Sequence, residues 1–107
     1  MYTISRFDQI GQDAAVTINN SASEVTAFGS SPSDRQGLTL TNCDATAYVY
    51  LSMASGSSAP DLSVASFHFK LGPGADKTIQ CGKGVKVYAI NDTSPNANTV
   101  VRVVELR

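Results

Sequence analysis

The feature that most constrains this chain is a recurring pattern of short apolar runs, alternating or β-branched, cut by clusters of Gly, Pro, Asn, Asp and Ser. Runs of this kind bury side chains at period two and stop where turn residues begin, which is the signature of strands rather than helices. About eight of them fit into the chain, at the spacing of roughly 8–12 residues usual for a small sandwich. The clearest starts at Gly37, where Leu38 and Leu40 alternate with Thr39 and Thr41 before a turn over residues 42–46. Over residues 47–53, Val49, Leu51 and Met53 share one face while Tyr48 and Tyr50 share the other. Apolar groups on both faces predict cover on both, the outer one by a partner.

After a Ser-rich loop over residues 56–60, a further strand region is expected through Leu62, Val64, Phe67, Phe69 and Leu71, ended by Gly72, Pro73 and Gly74. Residues 77–81 predict a short strand, Gly82 to Gly84 a turn, and residues 85–90 a β-branched core strand. The loop 91–98 then leads to a Val-rich strand over residues 99–106, expected to pair with its predecessor as a hairpin. Two weaker strands are marked by Val16 with Ile18 and by Val25 with Phe28, and a Ser/Pro loop follows over residues 29–34. The expected fold is therefore all-β: residues 1–107 as a single domain, an antiparallel β-sandwich or jelly roll of about eight strands. A chain of 107 residues buries about two-thirds of its unfolded surface, enough for one thin core and no second domain.

Charge narrows the partners. Charged residues make up 16% of the chain, against roughly 25% in an average soluble protein. The net charge is −1, and the eight Lys and Arg are scattered with no basic stripe to neutralise a row of phosphates, so nucleic acid is not an expected partner. No run approaches the roughly 18 apolar residues of a membrane span. The first residues, MYTISRFDQIGQDAAV, lack the basic segment and apolar run of a secretory signal, so synthesis in a cytoplasm is expected. Cys43 and Cys81 are too few for a disulfide scaffold; a reducing compartment favours two small thiols at strand ends over a bridge. Their spacing fits no zinc motif, and His68 is the only histidine.

Tyr2, Ile4, Phe7 and Ile10 are apolar at uneven spacing ahead of the first secure strand. They form either an edge strand of the domain's own sheet or an extended arm, within residues 1–13, that adds to a neighbouring subunit. In the second case Tyr2, Ile4, Arg6 and Phe7 are the candidate subunit-contact residues.

Candidate chemistry is sparse. His68, between Phe67 and Phe69, is a conceivable general base, but no GxSxG elbow or acidic partner at a recognisable spacing accompanies it. The nine carboxylates lie singly. The loop Asn91-Asp92-Thr93-Ser94-Pro95-Asn96 offers oxygens to a cation but lacks the Gly and terminal Glu of an EF-hand, and reads as an Asx-rich turn. The glycines at 72, 74, 82 and 84 match no phosphate-loop pattern and read as hairpin turns. No enzyme activity, cofactor or metal is expected. The aromatics are four Tyr and four Phe with no Trp, which weakens a sugar-binding reading.

The order of phrases from residue 35 onward is more specific. It runs Arg35-Gln36-Gly37-Leu38-Thr39-Leu40-Thr41-Asn42, then Tyr48-Val49-Tyr50-Leu51, Phe69-Lys70-Leu71-Gly72-Pro73-Gly74, Val87-Tyr88-Ala89-Ile90, and Val101-Arg102-Val103-Val104-Glu105. This resembles small β-sandwich virion proteins of tailed bacteriophages, of the head decoration or cement type, over roughly residues 35–107. The resemblance implies a structural protein on the capsid exterior, with the major capsid protein and its own copies, as dimer or trimer, for partners. It implies no catalytic residues, and related sandwiches in fibres and tails leave open a host-recognition module that binds surface polysaccharide.

Overall fold

A computed structural model describes residues 10–26, 36–55, 61–82, 84–92 and 98–106. They form eight strands and no helix: β1 (Ile10–Ile18), β2 (Ser23–Glu24), β3 (Gly37–Asn42), β4 (Val49–Ser55), β5 (Phe69–Leu71), β6 (Asp76–Ile79), β7 (Val85–Asn91) and β8 (Thr99–Leu106). Two antiparallel sheets result, ordered β1-β8-β3-β6 and β2-β7-β4-β5, which makes the all-β sandwich expected from the sequence. No helix among the described residues is long and apolar enough to cross a membrane.

The alternation in each strand decides what the sandwich buries. Leu38 and Leu40 of β3, Val49 and Leu51 of β4, Val87 and Ala89 of β7, and Val101 and Val103 of β8 all point inward and are fully buried. Ile18, Val25, Leu71 and Ile79 complete the core. Each buried aliphatic side chain of this size stabilises the fold by about 1.5–3 kcal/mol. These inward positions are the ones that carry the phrases from residue 35 onward, so the shared pattern is a pattern of core residues.

The connections differ from expectation. β7 and β8 lie in different sheets, so the two strands are no hairpin. The Gly72 to Ala75 turn likewise joins β5 of one sheet to β6 of the other, and β6 and β7 also lie in different sheets. The Gly72 to Ala75 segment is built as a type II turn: Ala75 N–H donates to Gly72 O at 3.0 Å, Pro73 sets the first central position, and Gly74 takes φ 76° at the second. The same turn chemistry serves a hairpin or a crossover, because the turn fixes local reversal and not which sheet receives the next strand. Of the consecutive strands only β4 and β5 pair side by side.

Three strand bounds also move. β1 begins at Ile10, well before Val16, so residues 10–13 of the segment expected as a possible arm belong to the strand, with Ile10 and Asp13 paired to β8 on either side of a register shift. The candidate contact residues Tyr2, Ile4, Arg6 and Phe7 lie outside the described residues, as does Phe28. Within the expected 62–71 strand region only Phe69–Leu71 is a strand; Ser63 and Ser66 close a small turn instead. Residue 25 follows β2 rather than lying in it, yet Val25 enters the core.

The buried Asn42 and Glu105 side chains are paired. Asn42 ends β3 fully buried, its Nδ2 within 2.9, 3.2 and 3.1 Å of the carbonyl oxygens of Ala47, Leu71 and Gly72 while Oδ1 accepts the N–H of Asp44. One amide thus ties three segments together. At the opposite end of β3 and β8, Glu105 is fully buried and accepts the Thr26 hydroxyl at 2.8 Å. Buried polar groups are retained only where such partners compensate their lost hydration.

Candidate functional site

The outer face of the β2-β7-β4-β5 sheet is aromatic. Tyr48 and Tyr50 lead into and begin β4, and Tyr88 and Ile90 come from β7, with Tyr50 opposite Ile90 and Ser52 opposite Tyr88 in the ladder. Tyr50, Tyr88, Ile90 and Ser52 are nevertheless buried. Much of that cover comes from the chain itself: Phe67 stacks edge-on against Tyr50 with ring centroids 4.9 Å apart, and Leu62 and Val64 stand beside Ile90. The partner expected to cover this face is therefore replaced, in part, by residues 61–67.

His68 anchors that cover. Its backbone N–H donates to Leu51 O at 2.8 Å, and its Nδ1 accepts the N–H of Met53 at 3.0 Å. The imidazole is exposed and precedes β5, so it caps the edge of β4 beyond the end of the short neighbouring strand.

Three large apolar side chains remain exposed on this side. Tyr48 and Phe67 each keep 39% of their surface and Val64 keeps 53%. The Lys70 ammonium lies 4.7 Å from the Tyr48 ring centre and 5.6 Å from that of Tyr50, so it links the two rings by cation–π attraction, worth about 0.5–1 kcal/mol at an exposed site. The Tyr48 N–H donates to Asp92 Oδ1 at 2.9 Å, which fixes the ring's approach to the sheet. Nearby runs a groove of about 280 Å³ with Leu62, Val64 and Ile90 on its apolar side and Asn20, Ser63 and Asp92 on its polar side.

The opposite outer face presents Thr39, Thr41, Thr78 and Arg102, with Val100 as its one exposed large apolar side chain among the described residues. Thr39 and Thr78 hydroxyls bond across the strands at 3.0 Å.

The other sequence candidates fall elsewhere. Asn91 is buried and donates to the Thr99 hydroxyl at 3.0 Å, and residues 93–97 of the expected cation loop lie outside the described residues. Among the described residues no three of His, Cys, Asp and Glu gather closely enough to hold a metal ion. Asp44 Oδ1 accepts the N–H groups of Ala47 and Thr46, and these bonds hold its carboxyl below the ordinary value. It is a turn residue. Cys43 and Cys81 are both free, just past the ends of β3 and β6. Because Cys81 N–H reaches Gln36 O, the two thiols sit at opposite ends of β3, on the order of 20 Å apart at the strand rise, far beyond disulfide reach.

Sequence reasoning placed Tyr48 and Tyr50 on the outer face but missed Phe67 as their cover, since its alternation with Phe69 reads as a strand. Compared with known proteins, the chain matches no protein-family model, no curated protein and no solved structure.

Proposed function

We propose that the chain is a structural virion protein of a tailed bacteriophage, a decoration protein that sits on the capsid exterior and bridges neighbouring capsid subunits. The observation that carries this reading is the exposure of Tyr48, Phe67 and Val64 along one side of the sandwich, with Lys70 over the Tyr48 ring. Aromatic side chains with little rotamer freedom are the groups that anchor protein interfaces. The ordered phrases from residue 35 to 105 support the phage assignment. On a shell, many copies multiply a modest contact energy, so a small contact suffices. Heads assembled without the chain test this: added purified protein is expected to co-sediment with them and raise the temperature at which they release DNA. Absence of both effects would overturn the reading.

A second reading is a host-recognition module that binds surface polysaccharide, favoured by the exposed Tyr48 beside a groove with Asn20, Ser63 and Asp92 along it. Sugars stack on such rings and hydrogen-bond to such side chains. It predicts a hit on a glycan array that Tyr48→Ala abolishes.

A further inference from the structure

The two sheets have four edges, and three of them are blunted. β2 has two residues and β5 three, too short to template a neighbour. β6 has four, and its Lys77 points inward, with the ammonium 4.5 Å above the Phe69 ring at the mouth of a cleft of about 510 Å³ between the sheets. Short strands and inward-pointing lysines are the devices by which sheet edges avoid edge-to-edge pairing. β1 has neither: nine residues long, it contains no Lys, Arg or Pro, and its register shift and its one charged residue, Asp13, lie in its first half, which leaves Ala14 to Ile18 as a regular edge.

The direction of its free groups follows from the ladder. Val100 O and Leu106 O accept N–H groups from the β3 side, so the even residues of β8 face β3 and the odd ones face β1. Val101 and Val103 stand opposite Val16 and Ala14, which places the N–H and C=O of Ala14 and Val16 toward β8. The backbone groups of Ala15 and Thr17, and of Asp13 beside them, therefore point outward, and no described strand pairs with them. Ala15 and Thr17 are both exposed, with side chains too short to fold over the edge.

We infer that this edge pairs with β1 of a second copy, antiparallel about a two-fold axis at Ala15, to make one continuous eight-stranded sheet. An antiparallel pair needs outward groups opposite outward groups. Centring the axis on Ala15 sets Ala15 against Ala15 and Asp13 against Thr17 at both ends, so three outward-facing pairs form at once. The same register keeps the two Asp13 positions apart. A two-fold contact of this kind is self-complementary and closes after two copies, as isologous interfaces do. The inference does not rest on the virion reading.

The test is sedimentation equilibrium of the full chain across concentration, with Ala15→Lys and Ala15→Glu variants. Wild type is expected to dimerise. Each variant places like charges face to face at the axis and is expected to weaken the dimer at least tenfold, and an equimolar mixture of the two is expected to dimerise again. Ala15→Pro, which deletes one outward N–H and no bond to β8, is expected to give a monomer with the wild-type melting temperature. A wild-type monomer at every concentration overturns the inference. So does a dimer indifferent to all three changes, or a mixture that fails to recover, as it would if another segment of the neighbouring copy occupied the edge.

Discussion

The two outer faces of the sandwich are built from the same kind of strand and end up chemically opposed. The β1-β8-β3-β6 sheet turns Thr39, Thr41, Thr78 and Arg102 to solvent, residues that a pleated surface tolerates in water. The β2-β7-β4-β5 sheet turns out Tyr48, Tyr50, Tyr88 and Ile90, then sets residues 61–67 against Tyr50 and Ile90 and leaves Tyr48, Phe67 and Val64 showing. A folded chain that needed only stability would bury or replace those rings. On the proposed reading, this aromatic face is the one that meets a partner.

The contrast can be broken by substitution. The largest effect is expected for Tyr50→Ala, on an outer face yet buried: about 3 kcal/mol in denaturant unfolding, as for a core aromatic, because the ring packs under Phe67. A loss below about 1 kcal/mol would mean that residues 61–67 are not a packed cover. Asn42→Ala follows at about 2–3 kcal/mol, since it strips partners from three carbonyls and one N–H where the two sheets are tied together. Phe67→Ala is expected to cost about 1 kcal/mol, and Val100→Ser on the opposite face no more than about 0.5 kcal/mol.

The smallest effect is electrostatic. The Asp44 carboxyl is held low by backbone N–H bonds from Ala47 and Thr46, so its contribution is complete above the unfolded-state value near about pH 4 and is lost as pH falls through the lower folded value. Asp44→Asn is therefore expected to flatten the fall in melting temperature below about pH 4 and to leave its pH dependence above that unchanged. A variant with the wild-type acid slope would remove Asp44 from the account.

Much of the fold was legible because its core strands obey simple periodicity. Leu38 and Leu40, Val49 and Leu51, and Val101 and Val103 announce themselves at period two, and the structure buries each of them completely. The crossovers were illegible for a physical reason: Pro73-Gly74 dictates a type II reversal, and nothing in a turn records which sheet receives the next strand. The first half of β1 was hidden because Gly11, Gln12, Asp13, Ala14 and Ala15 have weak strand preference, and the Val-rich β8 draws the segment into the sheet by pairing with Ala14 and Val16. Glu105 gave no sign of burial either, since its pairing with Thr26 spans 79 positions of sequence. On the candidate site, the Tyr48 and Tyr50 face could be read from alternation, whereas its cover by Phe67 depends on a long-range return of the chain.

If the chain decorates a capsid as proposed, the aromatic face, and not the threonine face, makes the contact with the particle. Co-sedimentation with undecorated heads tests it most directly, comparing wild type with the Tyr48→Ser, Phe67→Ser double variant and with Val100→Ser, all first shown to melt as folded proteins. Wild type and Val100→Ser are expected to bind alike, and the double variant to lose binding at least tenfold. Undiminished binding by the double variant, or loss in Val100→Ser alone, would contradict the claim.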